Sequence, residues 1–206
     1  MGTRIKICGI TRVEDARAAI AAGADAIGLI FDPRSPRVVS IEQERAIAAV
    51  VPPFVGVVGL FVDAAAETIQ PVLNRVRVSL IQFHGSETPE QCRVYGRPYI
   101  KAIAMRPDVD LAAEAQRFDD AVGLLLDTFV ENATGGTGRT FDWTRVPARR
   151  AKPIVLAGGL NAENVSEAIR RVRPDAVDVN SGVEISKGIK DEKKIAAFIA
   201  AVRAVA

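Results

Sequence analysis

Eight short apolar runs, separated by amphipathic stretches at a repeat of roughly 25 residues, constrain this chain more than any single motif. The runs are residues 4–8, 26–31, 54–62, 78–83, 99–104, 122–127, 153–157 and 176–179. Most are continuous Val/Ile/Leu segments rather than strict alternations, the pattern of parallel strands covered on both faces. Between them, residues 14–22, 42–50, 64–76 and 162–171 carry apolar residues at helical spacing. Residues 191–206 do the same through Ile195, Phe198, Ile199 and Val202. Helix starts are marked by Ser86-Glu87-Thr88-Pro89-Glu90 and by Asn161-Ala162-Glu163-Asn164. Eight βα units in 206 residues are too many for a Rossmann sheet. They predict an α/β chain folded as one compact (β/α)8 TIM barrel, a single domain over residues 1–206.

Composition removes several functional classes. Apolar residues make up 49% and charged residues 25%, the balance of a globular protein with a real core. A net charge of +2 gives no polyelectrolyte signal. The basic clusters Arg149-Arg150-Lys152 and Arg170-Arg171-Arg173 read as solvated surface, so no nucleic-acid partner is expected. The apolar runs fall short of the roughly 20 residues that span a bilayer. Thr3, Arg4 and Lys6, with no apolar segment behind them, argue against a signal peptide. One histidine and two cysteines, with no Cys-x-x-Cys, supply neither a zinc site nor a disulfide framework. The expectation is a cytoplasmic, reduced, metal-free protein.

Barrel active sites form where the strands end, so the strand ends are the place to look for chemistry. Cys8 closes the first strand in Lys6-Ile7-Cys8-Gly9-Ile10-Thr11, where a thiol can serve as base or nucleophile or simply pack as a small hydrophobe. Asp127 closes the sixth strand behind Val122-Gly123-Leu124-Leu125-Leu126. A carboxyl on an apolar wall suits a general acid, and the competing reading is a loop cap. Strands one and six face each other across a barrel mouth. A base and an acid on opposite sides of a bound sugar phosphate form an isomerase layout.

Phosphate binding is expected at Gly158 and Gly159 after strand seven and at Ser181 and Gly182 after strand eight, with a short helix starting at Ser181. Gly135-Gly136-Thr137-Gly138, in the loop after strand six, offers Gly136 as a third contributor. Arg37, in the proline-stiffened loop 31–37, is placed to grip a carboxylate bidentately. His84 is read as a substrate contact or a hydrogen-bonded rim residue, and Asp178 as a substrate contact or a loop-ordering group. Cys92 reads as core, and Trp143 as packing a short helix after the glycine-rich loop. Lys6 shares its strand face with Cys8, but its long stem separates the charge, so spacing identifies no partner for a Cys8 thiolate.

Seven motifs, spread in order over essentially the whole chain, resemble one family. They are Lys6-Ile-Cys-Gly-Ile-Thr11, Gly23-Ala-Asp-Ala-Ile-Gly-Leu-Ile-Phe31, Gln82-Phe-His-Gly85, Leu126-Asp-Thr128, Gly135-Gly-Thr-Gly138 with Phe141-Asp-Trp143, Leu156-Ala-Gly-Gly-Leu160 and Val177-Asp-Val-Asn-Ser-Gly-Val-Glu184. The family is phosphoribosylanthranilate isomerase, which performs an Amadori rearrangement in tryptophan biosynthesis. The resemblance implies a phosphoribosyl substrate, Cys8 as base with a lowered pKa, Asp127 as acid, Arg37 on the anthranilate carboxylate, and no cofactor. It leaves monomer and homodimer open. Phe83 and Asn180 depart from the family's usual leucine and serine; neither removes a catalytic group, and Asn180 is expected to alter a phosphate-shell hydrogen bond. The alternatives are a non-catalytic phosphate-metabolite sensor and another phosphosugar enzyme. An epimerase needs metal-binding histidines, and a bifunctional histidine/tryptophan isomerase uses paired aspartates; neither pattern matches these strand ends.

Overall fold

The computed structural model describes residues 2–129 and 140–205. Eight parallel strands close into a barrel in sequence order. They are β1 (Arg4–Ile7), β2 (Ala26–Ile30), β3 (Gly56–Phe61), β4 (Leu80–Phe83), β5 (Tyr99–Ala104), β6 (Gly123–Asp127), β7 (Ile154–Leu156) and β8 (Ala176–Val179). Helices α1 (Val13–Ala22), α2 (Ile41–Ala49), α3 (Ala66–Arg75), α4 (Pro89–Arg93) and α5 (Leu111–Arg117) follow the first five strands. α6 (Val165–Val172) follows β7, and α7 (Glu192–Arg203) ends the chain. After β6 the described residues form a single 3-10 turn, Trp143–Arg145, so Trp143 begins the short helix it was expected to pack against.

Strand parity decides what goes where. Ile5, Ile7, Ile27, Leu29, Phe61, Phe83, Leu124 and Leu126 point outward and join the helices in the main core. The opposite parity points into the barrel, where Ile100, Ala102, Leu125 and Ala157 form one small cluster and Cys8, Ile30 and Leu60 another. Runs that look uniformly apolar are therefore apolar for two reasons, helix packing outside and barrel filling inside.

Local signals account for most boundaries. Ser40 and Thr88 form full capping boxes with Gln43 and Gln91, and Pro89 occupies the first turn of α4. β3 starts two residues later than its apolar run because Phe54 takes a left-handed φ of 71° with its ring fully exposed. α6 starts three residues late because Asn161 Oδ1 accepts from the N–H groups of Glu163 and Asn164, holding that segment in a turn. Arg150 and Lys152 are more than solvated surface. Arg150 donates to the carbonyls of Val172 and Arg173, and Lys152 to those of Asp119 and Ala121.

The sequence reading did not anticipate an antiparallel hairpin, β9 (Glu184–Ser186) with β10 (Ile189–Lys190), between β8 and α7. Only five residues of extended backbone are involved, too few to show a period. No helix among the described residues is long and apolar enough to cross a membrane.

Candidate active site

A cavity of about 600 Å3 opens at the carboxyl ends of the strands. Cys8, Arg37, His84, Asp127, Gly158, Gly159, Asp178 and Ser181 all line it. Gly182 lies behind the lining, and Gly136 falls outside the described residues.

The cavity floor is polar. Lys6 and Asp178 face each other in register across β1 and β8, and Lys6 Nζ donates to Asp178 Oδ1 at 3.0 Å. Both are buried. Gly28, next door on β2, leaves the room they need: a Cβ there would lie 2.8 Å from Cys8 Sγ and 3.0 Å from Lys6 Cε. The thiol and the lysine stem thus converge over one glycine, which corrects the expectation that Lys6 is too remote to act on Cys8. Burial pushes the Cys8 thiol above its ordinary value; Lys6 pulls it down, Asp178 pushes it up and Lys190 pulls it down. The net direction is upward, opposite to the lowering expected for a base. Burial acts to lower Lys6, but the charges of Asp178 and Cys8 outweigh it and hold the ammonium above its usual range.

Asp127, at the end of β6, is reached from two sides. Its Oδ1 accepts from Thr128 N–H at 2.7 Å, and its Oδ2 lies 3.1 Å from His84 Nε2. His84 Nδ1 lies in turn 2.8 Å from Gln82 Nε2 on β4. Gly158 has a φ of 83°, and a Cβ on it would come within 2.5 Å of Thr128 N and 2.9 Å of Asp127 Oδ1. Only glycine lets the loop after β7 pass this close to the acid.

Arg37 is buried and paired. Its Nε and Nη2 donate to Glu184 Oε1 and Oε2 at 2.8 and 2.7 Å. Lys190 Nζ donates to the same carboxylate at 2.9 Å. Burial works to raise Glu184, yet Arg37 and Lys190 win and hold it below the usual carboxylate range. The unexpected hairpin thus supplies Glu184, which fixes the arginine, and Lys190, which holds Glu184. Asn180 Oδ1 accepts from Lys190 Nζ at 2.9 Å, and the side chain crowds Gly9, where a Cβ would meet Oδ1 at 2.6 Å. Asn180 therefore buttresses the arginine side of the site.

The loops after β7 and β8 meet at Gly182, where a Cβ would lie 2.0 Å from the Leu160 carbonyl oxygen. Asn164 Nδ2 donates to Gly159 O at 2.9 Å, tying the glycine pair to the start of α6. Ser181–Val183 is a single 3-10 turn.

Sequence reasoning set Lys6 aside and missed Gly28, Gln82, Glu184 and Lys190. For Gln82 a signal existed, since a long polar residue inside an otherwise apolar strand must face something able to satisfy it.

Comparison with known proteins gives the family. A family model described as N-(5'phosphoribosyl)anthranilate (PRA) isomerase matches residues 5–201. An N-(5'-phosphoribosyl)anthranilate isomerase of Pseudomonas putida is 58% identical over 200 residues, covering 97% of each chain. The crystal structure of phosphoribosyl anthranilate isomerase from Thermotoga maritima superposes with a TM-score of 0.90 at 42% identity, covering 98% of this chain and 99% of that one. A phosphoribosyl anthranilate isomerase in complex with reduced 1-(o-carboxyphenylamino)-1-deoxyribulose 5-phosphate gives a TM-score of 0.87 at 41% identity, with the same coverage. The chain therefore belongs to the N-(5'-phosphoribosyl)anthranilate isomerase family, enzymes of tryptophan biosynthesis.

Proposed function

We propose that this chain converts N-(5'-phosphoribosyl)anthranilate to 1-(2-carboxyphenylamino)-1-deoxyribulose 5-phosphate by general acid–base catalysis. The observation that carries the mechanism is the pairing of Cys8 on β1 with Asp127 on β6, both lining one cavity from strands three steps apart around the barrel.

Asp127 gives a proton to the furanose ring oxygen, and the bond from that oxygen to C1' breaks. The anthranilate nitrogen supplies the electron pair that forms the iminium. The Cys8 thiolate then removes the C2' proton, and those electrons close an enolamine. Protonation at C1' and loss of the C2' hydroxyl proton give the aminoketose. Atoms and electrons balance without a redox step, and the substrate's own nitrogen serves as the electron sink.

The remaining groups bind. Arg37, held rigid by Glu184, presents its guanidinium to the anthranilate carboxylate. Gly158, Gly159 and Ser181 take the phosphate, with Gly182 allowing the two loops to close together. Asp178 and His84 approach the ribose. Lys6 is the electrostatic partner of the thiolate, offsetting the burial that disfavours it. A free, buried catalytic thiol fits a reducing, cytoplasmic compartment.

The test is direct turnover. Phosphoribosylanthranilate generated in situ is followed by loss of its fluorescence, with spontaneous hydrolysis subtracted and the product identified by mass. Rapid conversion that Cys8→Ala and Asp127→Asn each reduce by about 10²-fold or more is expected. Binding of a product analogue with no conversion would instead make the chain a metabolite-binding barrel.

A further inference from the structure

Gln82 is a fully buried polar side chain inside the barrel that the chemistry above leaves without a role. It stands on β4 two residues before His84, so both side chains project inward. Its amide nitrogen lies 2.8 Å from His84 Nδ1, and His84 Nε2 lies 3.1 Å from Asp127 Oδ2.

A neutral imidazole has one N–H and one bare nitrogen. If Nε2 were bare, its lone pair would repel ionised Asp127, or accept the proton of neutral Asp127 and turn it away from the substrate. With the proton on Nε2, His84 donates to Asp127 and Nδ1 must accept. The amide N–H of Gln82 is the donor at that nitrogen. Turning the amide over would set Oε1 against the bare nitrogen and bury two N–H donors in place of one acceptor. As placed, the end without a hydrogen bond among the described residues is Oε1, a smaller loss. The hydrogen bonds therefore run in one direction, from Gln82 to His84 to Asp127.

We propose that Gln82 is a positioning residue that locks His84 as its Nε2–H tautomer, and that His84 thereby holds Asp127 in place for proton delivery. The inference rests on the reading of Asp127 as the acid. Each Asp127 oxygen already accepts one N–H, Oδ1 from Thr128 and Oδ2 from His84. When the O–H bond of the acid breaks, the proton leaves for the ring oxygen and the electron pair stays on a carboxylate that two donors already face. No group has to reorganise at that moment.

His84 is the single histidine of the chain, so the ring signals of 15N-histidine-labelled protein report it alone. At neutral pH the unliganded protein is expected to show one tautomer with the proton on Nε2. Gln82→Leu is expected to show a mixture, and kcat to fall about tenfold with KM within about twofold of the parent. Gln82→Glu, an acceptor in place of a donor, adds a proton at Nδ1 and shows the doubly protonated ring. His84→Gln, which keeps an amide N–H for Asp127, retains about tenfold more activity than His84→Ala. An Nδ1–H tautomer in the parent protein overturns the proposal, as does an unchanged spectrum in Gln82→Leu. Parental turnover in Asp127→Asn fails differently: it removes the acid on which the inference rests, whichever tautomer is found.

Discussion

Lys6 and Asp178 form a buried ion pair of 3.0 Å inside the barrel, from register-matched positions on β1 and β8, and the Cys8 thiol shares the lysine. Two charges taken out of water this way gain little net stability. Their arrangement matters for the thiol, because Lys6 opposes the burial that keeps Cys8 protonated while Asp178 reinforces it.

The two partners should therefore move Cys8 in opposite directions. In Lys6→Met the pH dependence of Cys8 alkylation shifts up, and in Asp178→Asn it shifts down. Lys6→Met also costs about 3 kcal/mol of stability, because Asp178 is left buried without its cation. Cys92, pushed up to about 12 by burial, contributes no alkylation below pH 9. Mass-resolved alkylation rates across pH check the two shifts and the silence of Cys92, and urea unfolding checks the stability loss; a shift of the same sign in both variants would contradict the shared-lysine arrangement.

Gly28→Ala is expected to cost activity more than fold. Its Cβ would sit 2.8 Å from Cys8 Sγ and 3.1 Å from Cys8 Cα, so the base itself must move. A misplacement of this kind costs turnover about 10²-fold, with about 1–3 kcal/mol of overpacking. Gly56→Ala is the control, since its Cβ meets nothing nearer than 3.5 Å. Turnover and thermal melting of the two variants side by side decide the point.

Arg37→Lys should behave like Arg37→Ala in binding. The guanidinium is fixed by a bidentate pair with Glu184, and a single ammonium cannot hold that fork and still reach a carboxylate. KM is expected to rise about 10–100-fold with kcat within about threefold. An unchanged KM in Arg37→Ala would exclude the carboxylate clamp.

Glu44, on α2, is fully buried, and neither of its oxygens has a hydrogen-bond partner among the described residues. Burial raises its pKa from 4.5 to about 8. Between those values the unfolded chain has released the proton while the folded chain keeps it. The contribution of Glu44 to stability is therefore greatest below pH 4.5 and falls as pH rises toward 8, by up to about 1.4 kcal/mol per unit. Glu44→Leu should remove this dependence and stabilise the protein more at pH 8 than at pH 5. Urea midpoints of both proteins at the two pH values measure it.

The alternation of apolar runs with amphipathic stretches was enough to read all eight barrel strands, because strand and helix periods are local and each must bury a face. Cys8, Arg37, His84 and Asp127 were legible for the same reason: the barrel puts every strand end on one face. Sequence could not say which polar residues face inward together. Lys6 and Asp178 are 172 residues apart, and only the closure of β1 onto β8, in register, makes them a pair. Glu184 reaches Arg37, and Lys190 reaches Glu184, through a hairpin too short to leave a pattern. Asp178 and His84 each had more than one reading, and only the folded chain shows Lys6 and Asp127 as their neighbours. Periodicity is a property of neighbouring residues, whereas hydrogen bonds and charge pairs inside a barrel depend on register and closure, which only the tertiary structure decides.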